Sequence, residues 1–446
     1  MFSHIKHTGK DLISARAWHG RLVFWTGAIL VGLAAALFAQ GSEYANHLHK
    51  QLMNISELST LILAPAGLVL IAWLNQKFFP GAQGSGIPQA IAAIEMTNST
   101  YRRSLLTFRI AFGKILLTLM GLLSGASIGR EGPTVHIGAA IMFSLGRLVR
   151  LPAEYLERGL ILAGGAAGIS AAFNTPLAGI IFAIEEMSRS YEQRSSGTLL
   201  TAVIIAGITA VALQGNYTYF GVSQAELNLM SSAWLAILAV SIAGGLAGGL
   251  FSLLLIRGSR WIAPWHRRRP LLIAAICGIA IAVIGLASGG TSYGTGYDEA
   301  RVLVTGEGEM SGSYAILKII ATIASYLSGI PGGIFAPSLA AGAGIGGNMA
   351  SLFTSIPSEA IVILCMVAYF SAVVQAPITA IVIVMEMTAN QTLLLPIMAA
   401  SFIAYAISRI ICPEPIYQAL ALPFLDLARK DEKPAEPEPP VNDRTL

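Results

Sequence analysis

The sequence predicts an all-α polytopic membrane protein made of tilted and broken helices arranged in two repeated halves. Three observations carry this. Apolar residues make up 54% of the 446 positions and charged residues only 12%, about half the ~25% of a soluble domain. Apolar runs recur along nearly the whole chain, many of them cut by Gly or Pro. Two motif blocks also recur at a near-constant spacing. A charge deficit this large excludes an ordinary soluble enzyme, a disordered chain and a disulfide scaffold. The net charge of +4, from 28 Lys and Arg against 24 Asp and Glu, is too small to indicate nucleic acid. Cys277, Cys365 and Cys412 lie far apart inside apolar segments. Their spacing suits neither a metal nor a disulfide framework, so they read as small core residues.

The first apolar run, Leu22–Ala39, follows a basic segment, 1–21, that carries Lys6, Lys10, Arg16 and Arg21. A cleaved signal needs a small residue at −3, where Leu37 stands, so this run is a retained first helix. Further runs fall at 58–74, 104–125, 134–149, 158–172, 176–188, 198–214, 232–256, 270–288, 313–328, 335–353, 359–371, 377–388 and 393–412. Several are shorter than the ~20 residues needed to cross a bilayer upright. Helices that stop inside a membrane leave backbone groups unpaired unless protein or a watery cavity covers them. That is the pattern of a transporter. Arg257, Arg260, Arg267, Arg268 and Arg269 form a basic loop, while 214–234 has no Lys or Arg. The positive-inside bias places that loop and both termini in the cytoplasm, and the 214–234 link outside. The organisation is then a basic cytoplasmic segment (1–21), a first half (22–225), a second half (226–425) and a polar, Pro-rich tail (426–446). The tail is expected to be disordered, with no soluble regulatory domain after it.

Leu123–Pro133 (LSGASIGREGP) lies over Leu327–Pro337 (LSGIPGGIFAP) at an offset of 204, which also carries Lys114 onto Lys318 and Thr118 onto Thr322. Asn174–Glu186 (NTPLAGIIFAIEE) lies over Gln375–Met387 (QAPITAIVIVMEM) at an offset of 201, with Pro176 on Pro377 and Glu185 on Glu386. Glycine matches alone arise by chance in membrane segments. A lysine, a threonine, two prolines and a glutamate in register do not. Two repeats place a binding site near the midplane, where their broken helices meet.

Three glycine turns lead through a proline into an apolar helix: Gly84-Ser85-Gly86-Ile87-Pro88, Gly129-Arg130-Glu131-Gly132-Pro133 and Gly333-Ile334-Phe335-Ala336-Pro337. Proline suits the first helical turn, where its missing N–H costs nothing. A helix start offers unpaired N–H groups and about half a positive charge. It therefore holds an anion without the tight grip of a buried Lys or Arg, and lets it leave.

These motifs, with the Glu185–Glu186 pair in IIFAIEEM and the late Tyr417, resemble the CLC family of chloride channels and chloride–proton antiporters. The likeness runs from about residue 60 to 425. The resemblance implies two inverted-topology repeats (the CLC fold), a homodimer with one anion pathway per subunit, and transport of chloride ions and protons across the lipid bilayer. It implies that Ser85 and Tyr417 donate hydroxyl hydrogen bonds to chloride beside the backbone N–H groups of Ile334 and Phe335. Read on their own, Ser85 is a turn serine and Tyr417 an interfacial anchor.

Glu131 lies in a turn suited to an anion, so ionised it competes with chloride for the same N–H groups and protonated it swings aside. Arg130 shapes the local field or pairs structurally. By resemblance Glu186 is the intracellular proton relay and Glu185 a structural acid; neighbours about 100° apart on a helix cannot share a direction. Both Glu131 and Glu186 together favour exchange of chloride for protons, with a passive voltage- or pH-gated chloride channel of the same fold as the alternative. Gln89 stands where many bacterial relatives carry Glu. His136, one turn beyond Glu131, is a packed polar residue or an influence on its proton. Ser85 in its GSGIP loop disfavours a fluoride-selective relative, and a nitrate-selective one carries Pro there. The chain has no H-E-x-x-H and no clustered nucleophile and base, so no enzyme, metal or cofactor is expected. The expected location is a prokaryotic plasma (inner) membrane.

Overall fold

A computed structural model of the chain describes residues 15–96, 99–148, 154–188, 196–215, 217–227 and 231–431. Among the described residues the regular elements are helices, and β pairing is confined to two isolated bridges. Among the described residues, six spans are long and apolar enough to cross a membrane: Arg21–Ile55, Glu57–Phe78, Thr100–Leu123, Ala233–Arg268, Pro270–Ala287 and Leu394–Ile411. Their outer faces are apolar. Ile276, Ile279 and Val283, for instance, are all more than half exposed, a surface that suits lipid and not water. The protein is a multi-pass membrane protein.

Inside this shell lie helices that are apolar on all sides, as a buried helix must be. Ser358–Val374 is buried from Ala360 to Val374 without a break. Glu131–Leu148 is buried from Glu131 to Phe143. Glu131–Leu148 begins in the interior and Ser358–Val374 ends there, and the shorter Ile87–Glu95 and Pro176–Phe182 are too short to span a bilayer at ~1.5 Å per residue.

The repeat seen in the sequence is a two-fold relation in space. Helices Glu131–Leu148 and Phe335–Ala350 start at equivalent positions, and Glu154–Phe173 and Ser358–Val374 end at equivalent positions. Asn174 and Gln375, which precede the Pro176 and Pro377 helices, both take positive φ, 58° and 56°. Gly129 and Gly333 form an antiparallel bridge and exchange both backbone hydrogen bonds at 2.7 Å. Equivalent residues can pair in this reciprocal way only about a two-fold axis, which passes between them. The same reciprocity appears in side chains. The Glu185 carboxylate accepts from the N–H groups of Ile378 (3.1 Å) and Thr379 (2.6 Å), and Glu386 accepts from Leu177 (3.2 Å) and Ala178 (2.8 Å). Each half thus caps a helix start of the other with a carboxylate, which suits both the orphan donors and the helix dipole.

The structure departs from the sequence reading mainly at element ends. The first helix is longer than Leu22–Ala39 and runs Ala15–Ile55, and the 232–256 run extends to Ser231–Arg268. Hydropathy marks only the part in lipid, while a helix continues where water satisfies its polar face. Three helices with no long apolar run were not foreseen: Ser99–Leu105, Tyr297–Thr305 and Ile416–Asp431. The last covers 426–431 of the expected tail. Residues 432–446 of that tail, and 1–14 of the basic segment, lie outside the described residues.

Candidate anion and proton site

The three glycine turns converge. Gly84 N–H donates to Ile330 C=O (3.1 Å) and Gly332 N–H to Gly84 C=O (3.2 Å), so the first turn is tied to the third. The Gly129–Gly333 pair ties the second to the third. A side chain added at Gly132 would meet Ser85 Oγ at 2.2 Å, and one at Gly333 would meet Gly132 N at 3.0 Å. The turns are therefore in direct backbone contact, and only glycine permits that approach. Gly84 (φ 69°) and Gly86 (φ 95°) also lie in the left-handed region. Pro88, Pro133 and Pro337 each fall in the first turn of the helix that follows.

Lys114 braces the first turn, donating to the carbonyls of Gln83 (3.4 Å) and Gly84 (3.1 Å). A lysine this deep is tolerated because its donors meet oxygens. Lys318, its repeat counterpart, donates to Ser292, Tyr293 and Gly294 (3.1, 3.1 and 2.8 Å). Gly294-Thr295-Gly296, also with positive φ at both glycines, precedes the helix Tyr297–Thr305 as Gly84-Ser85-Gly86 precedes Ile87–Glu95. This fourth turn was missed because no proline follows it. Its Gly-x-Gly pattern upstream of the equivalent lysine was the available signal.

Ser85 and Tyr417 are both fully buried, and neither hydroxyl has a hydrogen-bond partner in the protein. The Tyr417 ring stacks on Phe335 (centroids 5.9 Å, 21° between planes). Phe335 also meets Phe182 at 5.8 Å and Phe370 at 4.9 Å. Ile334 caps the helix that begins at Phe335, so the N–H groups of both lie outside the i→i−4 ladder. Neutral donors without protein partners and a cluster of aromatic rings thus lie in the interior beside the third turn.

Glu131 is fully buried and accepts from Tyr219 Oη at 3.2 Å on one carboxylate oxygen. The other oxygen has no hydrogen-bond partner and folds back over Gly129, where an added Cβ would lie 2.2 Å from it. The carboxylate also faces the N–H of Ala336, in the opposite half's turn. Arg130 pairs with Glu43 of the first helix at 3.3 Å. His136 is buried against Gly86, with one ring nitrogen 3.1 Å from Leu105 C=O. Gln89 donates to Gln83 C=O at 2.6 Å, a polar contact inside the first turn.

Beyond Pro176–Phe182 the chain widens into a π-turn, Ala183–Ser188. That turn separates the adjacent acids. Glu185 reaches the helix start at Pro377, whereas Glu186 is buried and within electrostatic reach of Tyr417. Tyr219 was not foreseen at all. It comes from the link after Ser196–Gln214, where no motif marks it. That link is pinned by Asn174 Nδ2 on Tyr217 C=O (2.8 Å) and by Phe220 N–H on Met387 C=O (2.9 Å).

Residues 66–409 match the family model described as voltage gated chloride channel. The chain belongs to the voltage-gated chloride channel (CLC) family. Among its CLC relatives, the H(+)/Cl(−) exchange transporter ClcA of Yersinia pseudotuberculosis serotype IB (strain PB1/+) is 32% identical over 88% of this chain and 85% of its own length. The transporter of the same description from Vibrio campbellii (strain ATCC BAA-1116) is 30% identical over 99% of this chain and 98% of its own. In structure the chain is similar to a slow cyanobacterial Cl−/H+ antiporter, with TM-score 0.80 and 25% identity over 93% of this chain and 99% of that one. The CLC fold therefore covers both halves, including all three turns.

Proposed function

We propose that this protein exchanges chloride for protons across the membrane, with Glu131 as the gate and Glu186 as the proton relay. The observation that carries the reading is a lone carboxylate folded into the meeting point of three anion-type turns. Chloride binds there on the hydroxyls of Ser85 and Tyr417 and the N–H groups of Ile334 and Phe335. Ionised, Glu131 occupies the neighbouring N–H groups in place of an anion. Protonation removes its negative charge, the carboxyl leaves, and chloride takes its place. Glu186, within electrostatic reach of Tyr417, exchanges the proton with the other aqueous phase. Exchange is also the activity named for the Yersinia and Vibrio relatives.

The chain functions as a homodimer with a separate pathway in each subunit, catalyses no covalent chemistry, and has both ends in the cytoplasm. The orientation rests on Arg257, Arg260, Arg267 and Arg268 at one end of the helix Ser231–Arg268, against an outer link without Lys or Arg.

The test is proton uptake driven by a chloride gradient, measured with purified protein in sealed liposomes. A passive channel gives a reversal potential set by chloride alone and no uphill proton movement. Glu186→Gln is expected to stop proton movement while chloride still crosses. Continued uphill proton transport in that variant removes Glu186 from the pathway.

A further inference from the structure

A cavity of about 560 Å³ opens at the end of the molecule that carries the 214–234 link, and Arg130, Tyr217, Tyr219 and Tyr297 are part of its wall. Tyr219 and Glu131 are 2% and 0% exposed, so the phenol stands between the cavity and the carboxylate. Its ring is fixed on several sides. It makes edge contacts with Phe173 (5.3 Å), Phe220 (4.9 Å) and Tyr297 (5.1 Å), and the Arg130 guanidinium lies 6.0 Å from its centroid. The backbone on either side is held by Asn174 and Met387. A phenol so constrained has little freedom to follow the carboxylate, and its hydroxyl points at Glu131.

We propose that Tyr219 is a positioning residue for the gate: its hydroxyl latches the Glu131 carboxylate in the anion pathway and thereby sets the external pH at which the gate opens. The inference rests on the exchange reading above. A hydroxyl donates more strongly to a carboxylate than to a neutral carboxyl, so the latch favours the closed, ionised gate. Protonation weakens the bond and frees the side chain. Arg130 makes no such bond here: its guanidinium pairs with Glu43 at 3.3 Å and, having no lone pair, can only donate. The phenol has both a donor and lone pairs, so it also suits the passage of a proton from the cavity to Glu131.

Other groups titrate or carry charge nearby. Arg130 faces Glu131 from its own turn, with Tyr217 and Tyr417 from other elements. Around the cavity stand Glu43, His47, Lys50, Tyr297 and Asp298. His47 lines the same cavity, so the test compares Tyr219 variants in two backgrounds that both keep His47.

Tyr219→Phe keeps the ring and removes the latch. A hydrogen bond to a charged group corresponds to about a tenfold change in equilibrium. The external pH for half-maximal exchange is therefore expected to rise by roughly one unit, with turnover rising alongside. In the Glu131→Ala background the same substitution is expected to change neither chloride flux nor its pH dependence. A fluorinated tyrosine at 219, a stronger donor in the same volume, is expected to shift the profile to lower pH. An unshifted profile, or a shift that persists without Glu131, overturns the latch. If Glu131→Ala itself leaves proton coupling intact, it is the assignment of Glu131 as the gate that has failed; absence of chloride-driven proton uptake in the parent protein is what defeats the exchange reading. Chloride binding by calorimetry in detergent gives a second measurement: affinity of Tyr219→Phe rises about tenfold if the carboxylate competes less well, and unchanged affinity counts against the latch.

Discussion

Glu131 and Glu185 each bring a carboxylate from the first half to a helix start of the second, and the two are held in contrasting ways. Glu185 engages both oxygens on two backbone N–H groups, and Glu386 returns the same pair of bonds from the other side. Glu131 has one tyrosine hydroxyl on one oxygen and no hydrogen-bond partner on the other. Its repeat counterpart is not an acid but Phe335. Where the two-fold symmetry is kept, the carboxylates pin the halves together. Where it is broken, a carboxylate with one hydrogen-bonded oxygen in the first half stands at the position that holds Phe335 in the second. Function resides in the asymmetry.

That contrast can be broken at several points. Glu131→Ala carries the largest expected effect: chloride-driven proton uptake in liposomes disappears, while chloride flux continues without pH sensitivity. Surviving coupling would make Glu131 one more structural cap. Glu185→Ala and Glu386→Ala are next. Each leaves two N–H groups of a helix start uncapped, a loss of about 1–3 kcal/mol. The thermal midpoint of the detergent-solubilised protein is expected to fall by several degrees, by similar amounts in the two variants, with the chloride-to-proton ratio unchanged. A changed ratio would mean that the pins belong to the transport machinery. The smallest effect is expected for Glu43→Gln. Arg130 is buried but Glu43 is 71% exposed in their pair, so water screens the carboxylate and the pair contributes little, about 1 kcal/mol. Exchange rates within about twofold of the parent at physiological salt are expected, and a larger fall would give Arg130 a role in the gate's field.

Much of this architecture was legible in the sequence because lipid leaves so few options. The apolar runs mark the helices, and the Gly-Pro turns mark where helices start inside the membrane. Lys114 over Lys318 and Pro176 over Pro377 revealed the repeat. The polar helices Tyr297–Thr305 and Ile416–Asp431 stayed hidden, since their stability comes from packing against neighbours and not from a continuous apolar stretch. Within the site, Ser85, Glu131 and Glu186 lay in recognisable motifs. Tyr219 did not. Its relation to Glu131, 88 positions earlier, depends on a link whose path is fixed by Asn174 and Met387, and no local pattern reports such a tie. The acids at 185 and 186 could be told apart only in part. Adjacent positions on a helix must diverge, but which acid reaches the Pro377 helix start and which stays buried is decided by packing that residue spacing does not announce.

The paired hydrogen bonds between Gly129 and Gly333 lie on the axis that relates the halves. When two bodies turn about a shared axis, points on it stay put while the periphery sweeps the greatest distance. The proposed chloride seat, at the neighbouring residues Ile334 and Phe335, therefore moves little in such a turn, while the openings on its two sides change most. Spin labels on the outer helices would report a turn of this kind as a change of separation during the cycle.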